Sequence, residues 1–130
     1  MTNYLFLDTS TPVCRIICVH DDTWDEYTWE AGRSLAKNLL GYIEEALSTS
    51  TMSLNELGGI AVFRGPGSFT GLRIGMTVAN TIAQAKELPI ITEVDEDWVE
   101  RAYARLQRGE DEHLAKPLYG APARITTPKK

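Results

Sequence analysis

Hydrophobic and polar positions along the chain follow two periods, and the switch between them orders the elements. Tyr4 to Asp8 is a near-continuous apolar run that ends in a carboxylate, the pattern of a central strand. Val13 to His20 and Trp24 to Trp29 follow as β-rich runs, with Asp21-Asp22-Thr23 as the hairpin turn between them. In the third run Trp24, Glu26 and Thr28 alternate with Asp25, Tyr27 and Trp29. Neither face is apolar throughout, which predicts an edge strand blunted by acids. Arg33-Ser34 then opens a helix in which Leu35, Leu39, Ile43 and Leu47 recur at four-residue steps, with Ala36 and Leu40 beside them in one stripe. Ser53-Leu54-Asn55-Glu56 has the form of a capping box, opening a short turn that Gly58-Gly59 ends. Ile60 to Phe63 reads as a strand, and a long apolar helix pattern continues to about Lys86. Pro89 to Val94 is the last predicted strand. Asp95-Glu96-Asp97 begins a third helix, with acids at its positive end and Arg101, Arg105 and Arg108 toward its negative end. Trp98, Ala102 and Leu106 give that helix an apolar side, and Gly109 stops it.

The chain is organised around Arg64-Gly65-Pro66-Gly67-Ser68-Phe69-Thr70-Gly71-Leu72-Arg73-Ile74-Gly75, between the strand at Ile60–Phe63 and the long helix. Gly65 and Gly67 permit positive φ on both sides of Pro66, and Ser68 or Thr70 can cap the helix. Such a loop either cradles a phosphate at a helix N-terminus or is simply a tight corner. It has neither the Lys-Ser/Thr ending of a P-loop nor the spaced triad of a Rossmann fingerprint. Beyond it Gly71, Gly75, Ala79 and Ala83 line one helix face, Ile74, Val78 and Ile82 another, and Leu72 and Met76 flank the small row. A helix this apolar is buried on more than one side. The sheet covers one side, and a second subunit is the expected cover for the other. The small row forms a shallow groove that Leu39, Ile43 and Leu47 border. These seven residues are the expected partner-binding face.

Composition narrows the classes. At 130 residues and 43% hydrophobic, the chain has enough for one core. A net charge of −5 argues against independent binding of nucleic acid or anionic membrane, although Lys116, Arg124, Lys129 and Lys130 offer phosphate contacts from the tail. No stretch approaches the ~20 apolar residues of a membrane span. The start, with its early Asp8, is unlike a signal peptide, so cytoplasm is the expected compartment. Cys14 and Cys18, in one strand at ~3.3 Å per residue, stand too far apart for a disulfide and read as buried thiols. His20 and His113 have no metal-ligand spacing. The polar tail after Gly109 marks the one compositional change, dividing the chain into a domain over 1–109 and a residual C-terminal tail over 110–130.

The run Gly65 to Gly75 resembles the signature of the TsaB (YeaZ) family, and Leu7-Asp8-Thr9-Ser10-Thr11 is similar to that family's first strand and turn. Gly65, Pro66, Gly67, Ser68, Phe69 and Thr70 form the motif loop. The resemblance covers roughly Tyr4 to Val94. It implies an α/β fold, the first lobe of the actin-like ATPase superfamily with its RNase H-like core. The expected sheet is five-stranded and mixed, three antiparallel strands and two added parallel through helices, with helices on both faces. In function it implies a non-catalytic scaffold for TsaD, which transfers threonylcarbamoyl to adenosine in tRNA. TsaD then holds the metal and the carbamoyl-adenylate, TsaE cycles ATP, and tRNA binds only the complex. This chain alone holds no cofactor and touches no membrane. The family's helices corresponding to those after Ser34 and Ser68 join two helices of TsaD in a bundle, and family members also form homodimers.

Several departures accompany the match. The family usually has a His near Arg33 or Ser34 and a Pro where Gly41 stands. The superfamily's first turn contacts phosphate or metal through an Asp, but the second phosphate loop and adenosine pocket have no counterpart here, and Asp8 alone reads as a turn-stabilising group. Full-length members continue into a second lobe, whereas Lys116 to Arg124 resembles only their Pro-x-Tyr-x-x-Pro ending. The expectation is a minimal form lacking most of that lobe, the other reading being an ordinary tail. Two rival functions stand beside the scaffold: a homodimeric binding module using the same helix face, and a hydrolase of glycoprotease type built on Asp8, Ser68 and Thr70. No His within the motif supports a triad for the latter.

Overall fold

Backbone pairing places the first strand at the centre of everything else. In the computed structural model, which describes residues 3–117, β1 (Asn3–Asp8) pairs antiparallel with β2 (Val13–His20), setting Leu5 opposite Cys18 and Asp8 opposite Arg15. β3 (Thr23–Glu30) pairs antiparallel with β2 alone and is an edge strand. On the other side of β1, β4 (Gly59–Phe63) and then β5 (Ile90–Glu93) join in parallel, giving the order β3-β2-β1-β4-β5. This is the five-stranded mixed sheet expected from the sequence.

Alternation along β1 sends Leu5 and Leu7 to one face and Tyr4 and Phe6 to the other, and all four are buried. α1 (Leu35–Thr49) and α2 (Phe69–Lys86) pack on the Leu5 face and on each other. α3 (Trp98–Gln107) packs on the opposite face, where Trp98 meets Phe6 and Phe63 at ring-centroid distances of 6.0 and 5.5 Å. Tyr103 meets Tyr4 there at 5.8 Å. Trp24, on the edge strand, stands edge-on to Phe6 at 5.7 Å and against Tyr103 at 5.0 Å, and Trp29 stacks on Tyr42 at 4.8 Å. These rings close the margins of the core.

Caps and turns follow local chemistry. Ser53 and Glu56 form the reciprocal capping box around a single 3₁₀ turn, Leu54–Glu56. Gly109 ends α3 with φ +81°, a conformation that favours glycine. The arginines of α3 do more than complement its dipole: Arg101 and Arg105 both bond the Glu93 carboxylate on β5, at 3.0 and 3.1 Å. Beyond Gly109 the chain stays against the domain, with Glu112 N–H donating to the Ile90 carbonyl and Ala115 bonded to Asn80. Of the Pro-x-Tyr-x-x-Pro resemblance, all but Lys116 and Pro117 lies outside the described residues, as do Arg124, Lys129 and Lys130. No helix among the described residues is long and apolar enough to cross a membrane.

Cys14 and Cys18 are buried and unpaired on the Leu5 face. Burial, with the Asp8 charge adding to it, pushes the Cys14 thiol up to about 12; burial, partly countered by a Ser50 hydrogen bond, pushes Cys18 up to about 11. Thiolate is the reactive form, so the native protein should resist alkylation at pH 8 and take up two labels only in denaturant, as read by mass spectrometry. Native labelling would contradict this burial. Folding raises both thiols above their ordinary value of 9.0, so their contribution to stability is complete below that pH and is lost as pH climbs toward 11–12.

Candidate functional site

The glycine loop is a corner assembled from three segments. The Arg64 N–H donates to the Glu93 carbonyl at 2.9 Å, and Gly65, with φ +133°, precedes a cis peptide bond to Pro66. Gly67, which could have taken positive φ, does not adopt it; a Cβ there would instead run into Ser10, so it is glycine because two backbones approach closely. The Ser68 N–H donates to the Ser10 carbonyl at 2.7 Å, and the Ser68 hydroxyl accepts from the Gly71 N–H at 3.2 Å as the cap of α2. The Asp8 carboxylate accepts from both the N–H and the hydroxyl of Ser10, at 2.9 and 2.6 Å. Asp8 and the Ser10 and Ser68 hydroxyls are thus bonded within their own turns, while Thr70 is exposed on the first turn of α2. Both imidazoles lie at the far end of the sheet. His20 is opposite Asn3, six-residue β1 separating it from the loop, and the His113 N–H bonds Asp111 beside the start of β5. Among the described residues, no group of three or more His, Cys, Asp or Glu is placed to hold a metal.

The expected partner face is corrected by the structure. Gly71, Gly75, Ala79 and Ala83 of α2 are buried inside the single chain, as are Leu39, Ile43 and Leu47 of α1. The cause is Thr9. Its carbonyl and side chain fill the notch left by Gly71 and Gly75, and its hydroxyl donates to the Gly71 carbonyl at 2.6 Å. The small row is therefore the face that lets α2 lie close to the β1–β2 turn, not a groove for another subunit.

The outward face is built from larger side chains. Ala36 and Leu40, read from the sequence as flanking the Leu35–Leu47 stripe, are exposed, Leu40 by 47%. Phe69 on the first turn of α2 is 52% exposed, and Ile74 and Val78 are half-buried. Ala36, Phe69, Ile74 and Val78, with Thr70, Arg73 and Thr77, line one concave groove, and Arg73 lies over the Phe69 ring at 5.3 Å. Phe69, Ile74 and Val78, at i, i+5 and i+9 along α2, form a partly exposed apolar ridge that suits a second helix.

Residues 29–95 match the family model described as "TsaD: tRNA N6-adenosine threonylcarbamoyltransferase". The "tRNA threonylcarbamoyladenosine biosynthesis protein TsaB" of Escherichia coli is 37% identical over 87 residues, covering 67% of this chain and 38% of that protein. Its counterpart from Haemophilus influenzae is 38% identical over 87 residues, with 67% and 37% covered. YeaZ from Pseudomonas aeruginosa superposes with a TM-score of 0.70 at 31% identity, covering 82% of this chain and 51% of that one. The chain spans under two fifths of these curated relatives and about half of the solved one. The α/β fold is the actin-like ATPase, RNase H-like one of these relatives. With these matches over the same strands, corner and helices, the chain belongs to the TsaB (YeaZ) family.

Proposed function

We propose that the protein serves tRNA threonylcarbamoyladenosine biosynthesis as a non-catalytic subunit, docking on TsaD through the outward face of α1 and α2. The observation that carries this reading is the groove between those helices, where Phe69 stays largely exposed beside Ile74, Val78 and Ala36, with Leu40 exposed one turn beyond Ala36 on α1. The family supplies the pathway, and the self-satisfied Asp8 and Ser68 with both imidazoles at the far end support a supporting role over a chemical one. Metal, ATP and the threonylcarbamoyl donor belong on this reading to TsaD and TsaE. A charge of −5 leaves tRNA to the assembled complex, in the cytoplasm.

The test is titration of purified TsaD with Leu40→Asp and Ile74→Asp variants. Burying an unpaired carboxylate in a helix–helix contact should weaken binding roughly thirtyfold or more, on the scale of a ~2 kcal/mol hot spot. The melting temperature of Leu40→Asp should hold, because that side chain already faces water in the free chain. Half-buried Ile74 should cost some stability as well, so affinity is compared on the folded fraction. Affinity undiminished in both variants would place the partner elsewhere. Sedimentation of the chain alone reads the homodimeric alternative: self-association abolished by the same substitutions would show a second copy using this groove.

A further inference from the structure

The two edges of the sheet are treated differently. β3 is left to its exposed acids, including Glu26 and Glu30. β5 is closed. Its pairing with β4 turns the backbone groups of Ile90 and Thr92 outward. All four are taken. Ile90 N–H donates to the Asp111 carboxylate at 3.0 Å, and its carbonyl accepts from Glu112 N–H at 2.8 Å. Thr92 N–H donates to the Glu112 carboxylate at 2.8 Å, and its carbonyl accepts from Arg105 at 2.7 Å. The Thr92 hydroxyl donates to the other Glu112 oxygen at 2.9 Å.

Arg105 ties this cover to α3. Besides Thr92, its guanidinium bonds Glu93, Glu110 and Glu112, at 3.1, 2.7 and 2.9 Å. The far end is pinned where Asn80 exchanges two hydrogen bonds with the Ala115 backbone, at 2.9 and 2.7 Å. Between those points, contact with the strand is made by one backbone bond and side-chain carboxylates, not by a continuous ladder. Such a contact opens locally without unfolding the sheet.

We propose that residues 110–115 are a detachable strap, latched by Arg105, that closes the β5 edge against pairing with a second copy of this chain. β5 is Ile-Ile-Thr-Glu, rich in the β-branched residues that favour strand pairing. An uncovered edge is a template for another strand, and two identical edges meet as an antiparallel two-fold pair in which the four outward groups of each satisfy those of the other. The strap, with its Arg105 latch on the Thr92 carbonyl, and strand addition compete for the same four groups.

The experiment uses the full chain carrying Leu40→Asp, which silences the α1–α2 groove, with and without Asp111→Ala/Glu112→Ala. Read at a dilution where the chain is monomeric, amide hydrogen exchange should speed by roughly tenfold or more at Ile90 and Thr92, while Ile91 and Glu93, paired to β4, keep their protection. Sedimentation should show the strapless variant associating more strongly than its parent. Glu112→Gln alone, which keeps the side-chain shape, should shift exchange in the same direction and serves if the double variant does not fold. Unchanged exchange at the two amides, loss of protection across the whole sheet together, or no gain in association would each overturn the proposal.

Discussion

Gly71→Ala is expected to lower the melting temperature by roughly 10 °C, corresponding to about 3 kcal/mol in a domain of this size. The sign is what makes the result diagnostic. At an open helical position, glycine to alanine stabilises by ~0.5–1 kcal/mol because the unfolded chain loses freedom. Gly41 is such a position, exposed in α1 with nothing within 4 Å of an added Cβ, and Gly41→Ala should raise the melting temperature slightly. At Gly71 the same methyl would run into the Thr9 carbonyl oxygen. Backbone cannot swing aside as a flexible side chain does, so α2 and the β1–β2 turn must separate. The Thr9 hydroxyl then loses its 2.6 Å bond to the Gly71 carbonyl in a buried setting. Thermal melts of both variants decide the matter: a stabilised Gly71→Ala would mean that helix and turn are not in contact.

Leu39→Ala should cost a comparable amount, about 2–5 kcal/mol, with partner binding by the remaining folded protein unchanged. Leu39 is fully buried in the α1 stripe beside Ile43, so its truncation leaves a cavity under a helix whose neighbours cannot all collapse into it. The cost is a large part of the 5–15 kcal/mol that holds an ordinary domain together. Chemical denaturation of Leu39→Ala beside Leu40→Asp makes the comparison sharp, because adjacent residues divide stability from recognition. A Leu39→Ala protein of undiminished stability would show α1 rotated from the orientation described.

Much of this architecture was legible before the fold was known. Short apolar or β-rich runs marked all five strands, and the parallel addition of β4 and β5 follows from the helix that precedes each. The Ser68 cap and the stop at Gly109 were readable because their chemistry is local. The orientation of α2 was not. Periodicity gives the angular position of each side chain, but on a helix apolar all round it does not say which sector meets the sheet. The deciding contact, Thr9 against Gly71 and Gly75, joins residues more than sixty positions apart. For the same reason Leu40 was not separated from Leu39 and Ile43: one wide stripe on α1 serves the sheet with one flank and solvent with the other. The Arg105 bonds were hidden because they depend on α3 folding back over β5 and on the chain then crossing its edge.

Thr9 seated between Gly71 and Gly75 also fixes how the outer surface meets a visitor. Phe69 and Ile74 ride on the turns of α2 that Thr9 holds, and Thr9 directly follows the central strand of the sheet. The ridge therefore inherits its attitude from the most deeply embedded strand, and tilting it requires breaking a buried hydrogen bond. Little adaptive motion is left to this side of a complex. On the docking proposed above, any rearrangement would fall to the incoming partner, the ordering entropy of this face having been met during folding.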